Sequence, residues 1–247
     1  MAADGGETTI TFRSLDISEE TSIYQLRDFL KKENPNGIDI LINNAGVFID
    51  GVGKAFLVLR VCRKSLVNCA ENKLSDNTTV NQMLGTNYYG SLAMTREILP
   101  LIRSGGRLVN VCSKDGSLGI YPDALKEAFI SASKTSVAAC SALMERFAHD
   151  VKDNKTIQEG WPRSAYAVSK AGEIAITKVF AMEEEKAGRE TKVLINSCCP
   201  GFVNTDMTRG YGVKTIDEGA KTPVLLALGD VKGSLGEFWR DENIITW

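Results

Sequence analysis

Apolar residues recur along this chain in two different periods. Residues 9–15 (TITFRSL) alternate apolar and polar positions, while 38–42 (IDILI), 107–111 (RLVNV) and 192–197 (KVLINS) are short runs rich in Val, Ile and Leu. All four read as β-strands, and a last short strand is expected near 236–240. Between them the period becomes helical. Ser18 is placed to cap a helix with Glu19 and Glu20 in its positive first turn, and Ile23, Leu26 and Leu30 share one face until Asn34-Pro35-Asn36-Gly37 stops it. Further helices are expected at 78–102, broken by Gly105-Gly106, at 123–152, at 163–187, where Ala167, Ala171, Ala175 and Val179 lie roughly along one face, and near 216–228. Strands that alternate with helices, and are apolar on both faces, predict a parallel sheet covered on both sides: a doubly wound α/β fold.

Length and composition fit one domain. The chain has 247 residues, 43% of them hydrophobic, with no internal repeat and no low-complexity tract. A net charge of −2, with basic and acidic residues interspersed, gives no reason to expect nucleic acid or an anionic membrane as partner. No apolar run is long enough to span a bilayer, and the start, MAADGGETT, has neither the basic nor the apolar region of a signal peptide. Cys62, Cys69, Cys112, Cys140, Cys198 and Cys199 form no C-x-x-C pair, and His149 is the only histidine. A zinc site is therefore not expected, and the cysteines read as free thiols in a reducing cytosol.

The candidate chemistry begins with Tyr166-Ala167-Val168-Ser169-Lys170. Tyr and Lys four apart project from one face of a helix. A phenol titrates near 10, and a neighbouring cation stabilises its phenolate, so the pair is suited to moving a proton to or from a carbonyl oxygen. Alone, Y-x-x-x-K also fits an ordinary amphipathic helix. Ser113 ends a predicted strand, where ligands bind in open α/β sheets, and Asn43-Asn44-Ala45-Gly46 ends another. Each by itself also reads as a plain turn. A serine hydrolase is not indicated, since Ser113 lacks a G-x-S-x-G turn.

Taken together, N-N-A-G (43–46), Asn87 in T-N-Y-Y-G, V-N-V-C-S (109–113), Y-A-V-S-K (166–170) and P-G-F-V-N-T (200–205) resemble, in order and in strand-end position, the classical short-chain dehydrogenases/reductases. The stretch 159–166 (EGWPRSAY) and Cys198-Cys199-Pro200-Gly201 are similar to those of the cytosolic, monomeric carbonyl-reductase type, as is the helical insertion at 118–160. The resemblance implies a Rossmann-like fold and NADPH-dependent reduction of aldehydes, ketones or quinones. It implies Tyr166 as acid/base, Lys170 as the cation that tunes it and holds the ribose, and Ser113 as the carbonyl-positioning hydroxyl. It further implies that Asn87 holds a water linking Lys170 to solvent. Leu15 and Asp16 would meet the adenine, Asn43 and Ala45 the adenosine ribose, and Val203 and Thr205 the nicotinamide end. The insertion is expected to block the usual oligomer face and leave a monomer.

Two departures from the family stand out. The T-G-x-x-x-G-x-G turn that cradles the pyrophosphate, with its βαβ unit of roughly 30 residues, has no counterpart before residue 9, so a sheet truncated at its N-terminal side is expected, with 38–42 at an unpaired edge. Residues 51–73 are an atypical insertion, expected to be either a helix over the site or a segment translated from an intron of a variant transcript. Two readings stay open: a carbonyl-reducing enzyme, and an inactive relative that binds another protein through its sheet edge.

Overall fold

The computed structural model describes residues 9–49 and 77–247. The atypical segment 51–73 lies outside them. A five-stranded sheet has the order β1 (Ile38–Asn43), β2 (Ile102–Val111), β3 (Leu194–Cys199), β4 (Phe238–Arg240) and β5 (Asn243–Ile244). The first four are parallel, and β5 folds back antiparallel on β4. Parallel neighbours require crossovers, usually helical. Those crossovers contain α2 (Asn77–Met83) and α3 (Ser91–Ile98) before β2. Three helices precede β3: α4 (Asp123–Ser133), α5 (Val137–Lys152) and α6 (Ala165–Lys186). One α-helix, α7 (Ile216–Leu228), preceded by a 3₁₀ turn at Asp206–Thr208, leads to β4. An additional helix, α1 (Glu20–Glu33), precedes β1.

Alternate residues of a strand face opposite sides of the sheet. Leu108 and Ile195 join the α6 side, with Ala171, Ala175 and Val179, while Val109, Val111 and Cys198 pack with Leu226 and Ala227 of α7. Ile23 and Leu26 of α1 meet Met94 and Ile98 of α3. Helices thus cover both faces, and the expected doubly wound, Rossmann-like architecture is what the chain adopts. α4 and α5 add Leu125, Phe129, Met144 and Phe147 to the largest core, against α6.

Several local expectations need correction. Residues 9–15 form no strand: no neighbouring strand offers them ladder hydrogen bonds among the described residues, and Ile10 and Phe12 are exposed. Ser18 does not cap α1. Glu19 holds that position, and the Ser18 hydroxyl donates instead to Asp16 Oδ1 at 2.6 Å. The 78–102 helix is interrupted by a π-helical stretch, Leu84–Gly90. Gly105-Gly106 lie within β2, where a register shift opposite Ile38–Ile40 accommodates them. A β-carbon on Gly106 would stand 2.5 Å from the Asp39 carbonyl, so only glycine fits there. The 123–152 region is two helices, divided by a new N-cap in which Ser136 Oγ accepts from Ala139 N–H.

Candidate active site

The C-terminal ends of β1, β2 and β3, with α6 and α7, surround a mostly apolar cavity of about 590 Å³. Ser113, Tyr166 and Lys170 all line it, as do Asn44, Gly46, Phe48, Val203 and Thr205. This is the crevice beyond the carboxyl ends of the strands where open α/β sheets place their ligands.

Each polar group is fixed by the elements beneath it. Ser164 caps α6 by accepting from Ala167 N–H at 3.1 Å, which sets Tyr166 and Lys170 in the first turns. Ser113 caps a short 3₁₀ turn, Lys114–Gly116, by accepting from Asp115 N–H at 3.2 Å. That turn lies so close to α6 that a β-carbon on Gly116 would fall 2.6 Å from the Lys170 carbonyl carbon. Ser113 thereby comes within hydrogen-bonding reach of the Tyr166 hydroxyl. Phe48 packs edge-on against the Tyr166 ring, with centroids 5.1 Å apart.

Lys170 is buried, and its Nζ lies 5.9 Å from the centre of the Tyr166 ring. It donates to the Val111 carbonyl at 3.0 Å and to Glu173 Oε2 at 2.6 Å. Burial works against the ammonium, but Glu173 outweighs it with help from Tyr166, and Lys170 is held well above the usual lysine value. Burial also raises the Tyr166 hydroxyl; Lys170 and Ser113 pull it back, and the balance remains upward. A phenol so placed is protonated at neutral pH and is ready to act as an acid.

Asn87 sits inside the π-helical stretch. Its Oδ1 accepts from Val47 N–H at 2.8 Å, while Nδ2 donates to the Val47 carbonyl at 2.9 Å and to Ser169 Oγ at 3.1 Å. These bonds hold the segment after β1 against α6. A β-carbon on Gly46 would stand 3.2 Å from Asn87 Oδ1 and 3.5 Å from Lys170 Nζ, so this glycine keeps the backbone close beside the ammonium. Asn43 does not turn into the cavity: its Nδ2 donates to Thr95 Oγ1 and Asn110 Oδ1 in the interior. Ala45 is not among the cavity-lining residues, and Leu15 and Asp16 also lie outside its wall. The Asp16 carboxylate accepts from Ser18 N–H and Oγ–H.

Sequence reading missed Glu173. It is fully buried one turn beyond Lys170, and its Oε1 accepts from Ser91 Oγ at 3.0 Å. The available signal was a lone acid in the small-residue run Ala171-Gly172-Glu173-Ile174-Ala175. Cys199 also lines the cavity, its Sγ accepting from Gly201 N–H at 3.4 Å. His149, by contrast, is exposed on α5 and pairs with Asp153.

A tyrosine and a buried lysine on one helix, a serine at the end of the neighbouring strand and a doubly wound sheet together define a dehydrogenase-type nucleotide enzyme fold. The short chain dehydrogenase family model matches residues 2–160 and 154–214, and the chain belongs to that family. It is 35% identical over 240 residues to carbonyl reductase (NADPH) 3 of Mus musculus, a match covering 96% of this chain and 79% of that protein. Carbonyl reductase (NADPH) 1 of Homo sapiens is 35% identical over 244 residues, with the same two coverages, 96% and 79%. Among solved structures, salutaridine reductase from Papaver somniferum superposes with a TM-score of 0.75 at 29% identity, covering 92% of this chain and 81% of that one.

Proposed function

We propose that this chain reduces carbonyl compounds (aldehydes, ketones and quinones) to alcohols with NADPH, using Tyr166 as the proton donor. The observation that carries this reading is the convergence of Ser113, Tyr166 and Lys170 on one wall of the cavity. The names of the two carbonyl reductases support the same substrate class and cofactor.

NADPH, when bound, supplies the hydride that reaches the carbonyl carbon. The rest of the work falls to residues of the chain. Ser113 Oγ donates to the substrate oxygen and holds it beside the Tyr166 hydroxyl. As negative charge develops on that oxygen, Tyr166 transfers its proton to it, and the resulting phenolate is stabilised by the Lys170 ammonium. The nicotinamide–ribose half of the cofactor would take this cavity, whose lining includes Lys170, Gly46, Val203 and Thr205, with the backbone at Gly46 close to the ammonium. The adenosine half is assigned to the surface near Leu15, Asp16, Asn43 and Ala45, with Asn43 contributing its backbone because its side chain is turned inward. The exposed Met207, Ile216 and Val224 at the cavity margin suit an apolar substrate.

Four buried free thiols among the described residues support a reducing compartment, for which the cytosol is the reading. A monomer is proposed because α4 and α5 occupy one side of α6; light scattering that finds a dimer removes that part. The function is tested by titrating the chain with NADPH and assaying quinone and aldehyde reduction. Tyr166→Phe is expected to lower turnover by about 10²–10⁴-fold while NADPH still binds. Full turnover in that variant would refute the acid assignment. Absence of NADPH binding in the folded chain would refute the enzymatic reading.

A further inference from the structure

Lys170 is not the end of the polar arrangement in this cavity. Its Nζ is clamped between the Val111 carbonyl at 3.0 Å and Glu173 Oε2 at 2.6 Å, and the second carboxylate oxygen is itself held by Ser91 Oγ at 3.0 Å. Both side chains are almost completely buried. A lone ammonium is costly in such surroundings and sheds its proton unless an opposite charge accompanies it. Glu173 is that charge, and it comes from the same helix, one turn on, so the pair is set by the geometry of α6 itself.

We propose that Glu173 is a positioning residue for the carbonyl-reducing site: it keeps the Lys170 side chain cationic and anchored at the end of β2, where its charge acts on Tyr166. This rests on the reading of Tyr166 as the acid. The titratable groups around the pair are Tyr166 on α6, Cys112 just beyond β2 and Cys198 on β3, and Asp115 of the Lys114–Gly116 turn acts on Tyr166. The thiols do not replace Glu173: the buried Cys112 and Cys198 are pushed upward by burial and stay neutral, and it is the Glu173 carboxylate that stands 2.6 Å from Lys170 Nζ. Burial raises the Glu173 carboxyl, and Lys170 and Ser91 draw it back. The clamp therefore works as one unit, with Ser91 orienting Glu173 and Glu173 orienting Lys170.

Two measurements test this. In the native chain, ¹³C-labelled lysine side chains are followed by NMR from about pH 6 to about pH 10, with the Lys170 resonance assigned by Lys170→Arg. Lys170 is expected to keep its ammonium shift throughout, while exposed lysines begin to move near the top of the range. A Lys170 midpoint inside the range overturns the proposal, and this result needs no variant of Glu173. In Glu173→Gln the alkaline limb of kcat/KM is expected to move down by about one pH unit or more, because the amide removes the charge but keeps the size. Glu173→Asp is expected to hold the limb near its native position. A Gln variant that folds and shows the native pH profile also overturns the proposal. Tyr166→Phe is run alongside: if it keeps full activity, the acid assignment fails, whereas the Lys170 titration still judges Glu173.

Discussion

Asn87 grips Val47 through both ends of its side-chain amide, accepting from the Val47 N–H at 2.8 Å and donating to its carbonyl at 2.9 Å. One side chain thus satisfies two main-chain groups just beyond β1 and leaves Nδ2 a second bond to Ser169. It sits inside the π-helical stretch Leu84–Gly90. Asn87→Ala is expected to leave the Val47 groups unpaired and to cost about 1–3 kcal/mol of stability. Asn87→Asp is expected to be no better, because a carboxylate cannot donate to the Val47 carbonyl. Urea denaturation checks both, and a loss under about 0.5 kcal/mol for Asn87→Ala would show that the clasp is not needed.

Alkaline pH is expected to weaken the fold through its buried thiols. Burial pushes Cys112 and Cys198 well up and Cys140 to about 12. In the unfolded chain these thiols lose their protons near 8.5. Above that pH the native state holds more protons than the unfolded state, so stability falls as pH rises. Each thiol contributes a slope of about 1.4 kcal/mol per pH unit between its unfolded and folded values. Urea midpoints measured from about pH 8 to about pH 10 should decline steadily, and Cys140→Ala should remove one thiol's share of that slope. A midpoint independent of pH would contradict the assignment of these thiols as buried and protonated.

Much of the fold was legible in the sequence because burial on two faces leaves a plain mark. The runs at 38–42 and 107–111 are strands, and 194–199 is displaced only slightly from the expected 192–197. The alternating run at 9–15 misled because alternation reports a conformation that still needs a partner, and Phe12 instead points to solvent. The π-helical stretch was illegible because one extra residue per turn scarcely alters an apolar pattern. Of the candidate site, Tyr166, Lys170 and Ser113 were found by spacing and strand-end position and do line one cavity. Asn43 was read toward the ligand, but the polar interior formed by Thr95 and Asn110 captures its side chain. Glu173 escaped because a lone acid in a helix normally faces solvent, and only the inward turn of Lys170 explains it.

Trp247 braces the active-site turn from outside the cavity. Its indole Nε1 donates to the Gly116 carbonyl at 3.0 Å, its ring meets Phe129 edge-on at 6.3 Å, and Lys178 Nζ lies 5.8 Å from the ring centre. Gly116 closes the turn that Ser113 caps, and it is pressed against the backbone of Lys170. Removing the indole should therefore loosen the position of Ser113 without touching Tyr166. Trp247→Phe keeps the ring and loses the N–H, so about 0.5–1.5 kcal/mol of stability should go with the hydrogen bond. Trp247→Ala loses both and should cost about 3–5 kcal/mol if the site cannot collapse. Carbonyl reduction at a temperature where both variants are folded should fall more in Trp247→Ala than in Trp247→Phe, with the loss in kcat, because a misplaced Ser113 weakens the hold on the substrate oxygen as its charge develops. Thermal denaturation and steady-state kinetics on the two variants check this order, and native kcat in a folded Trp247→Ala chain would show that the brace does not reach the site.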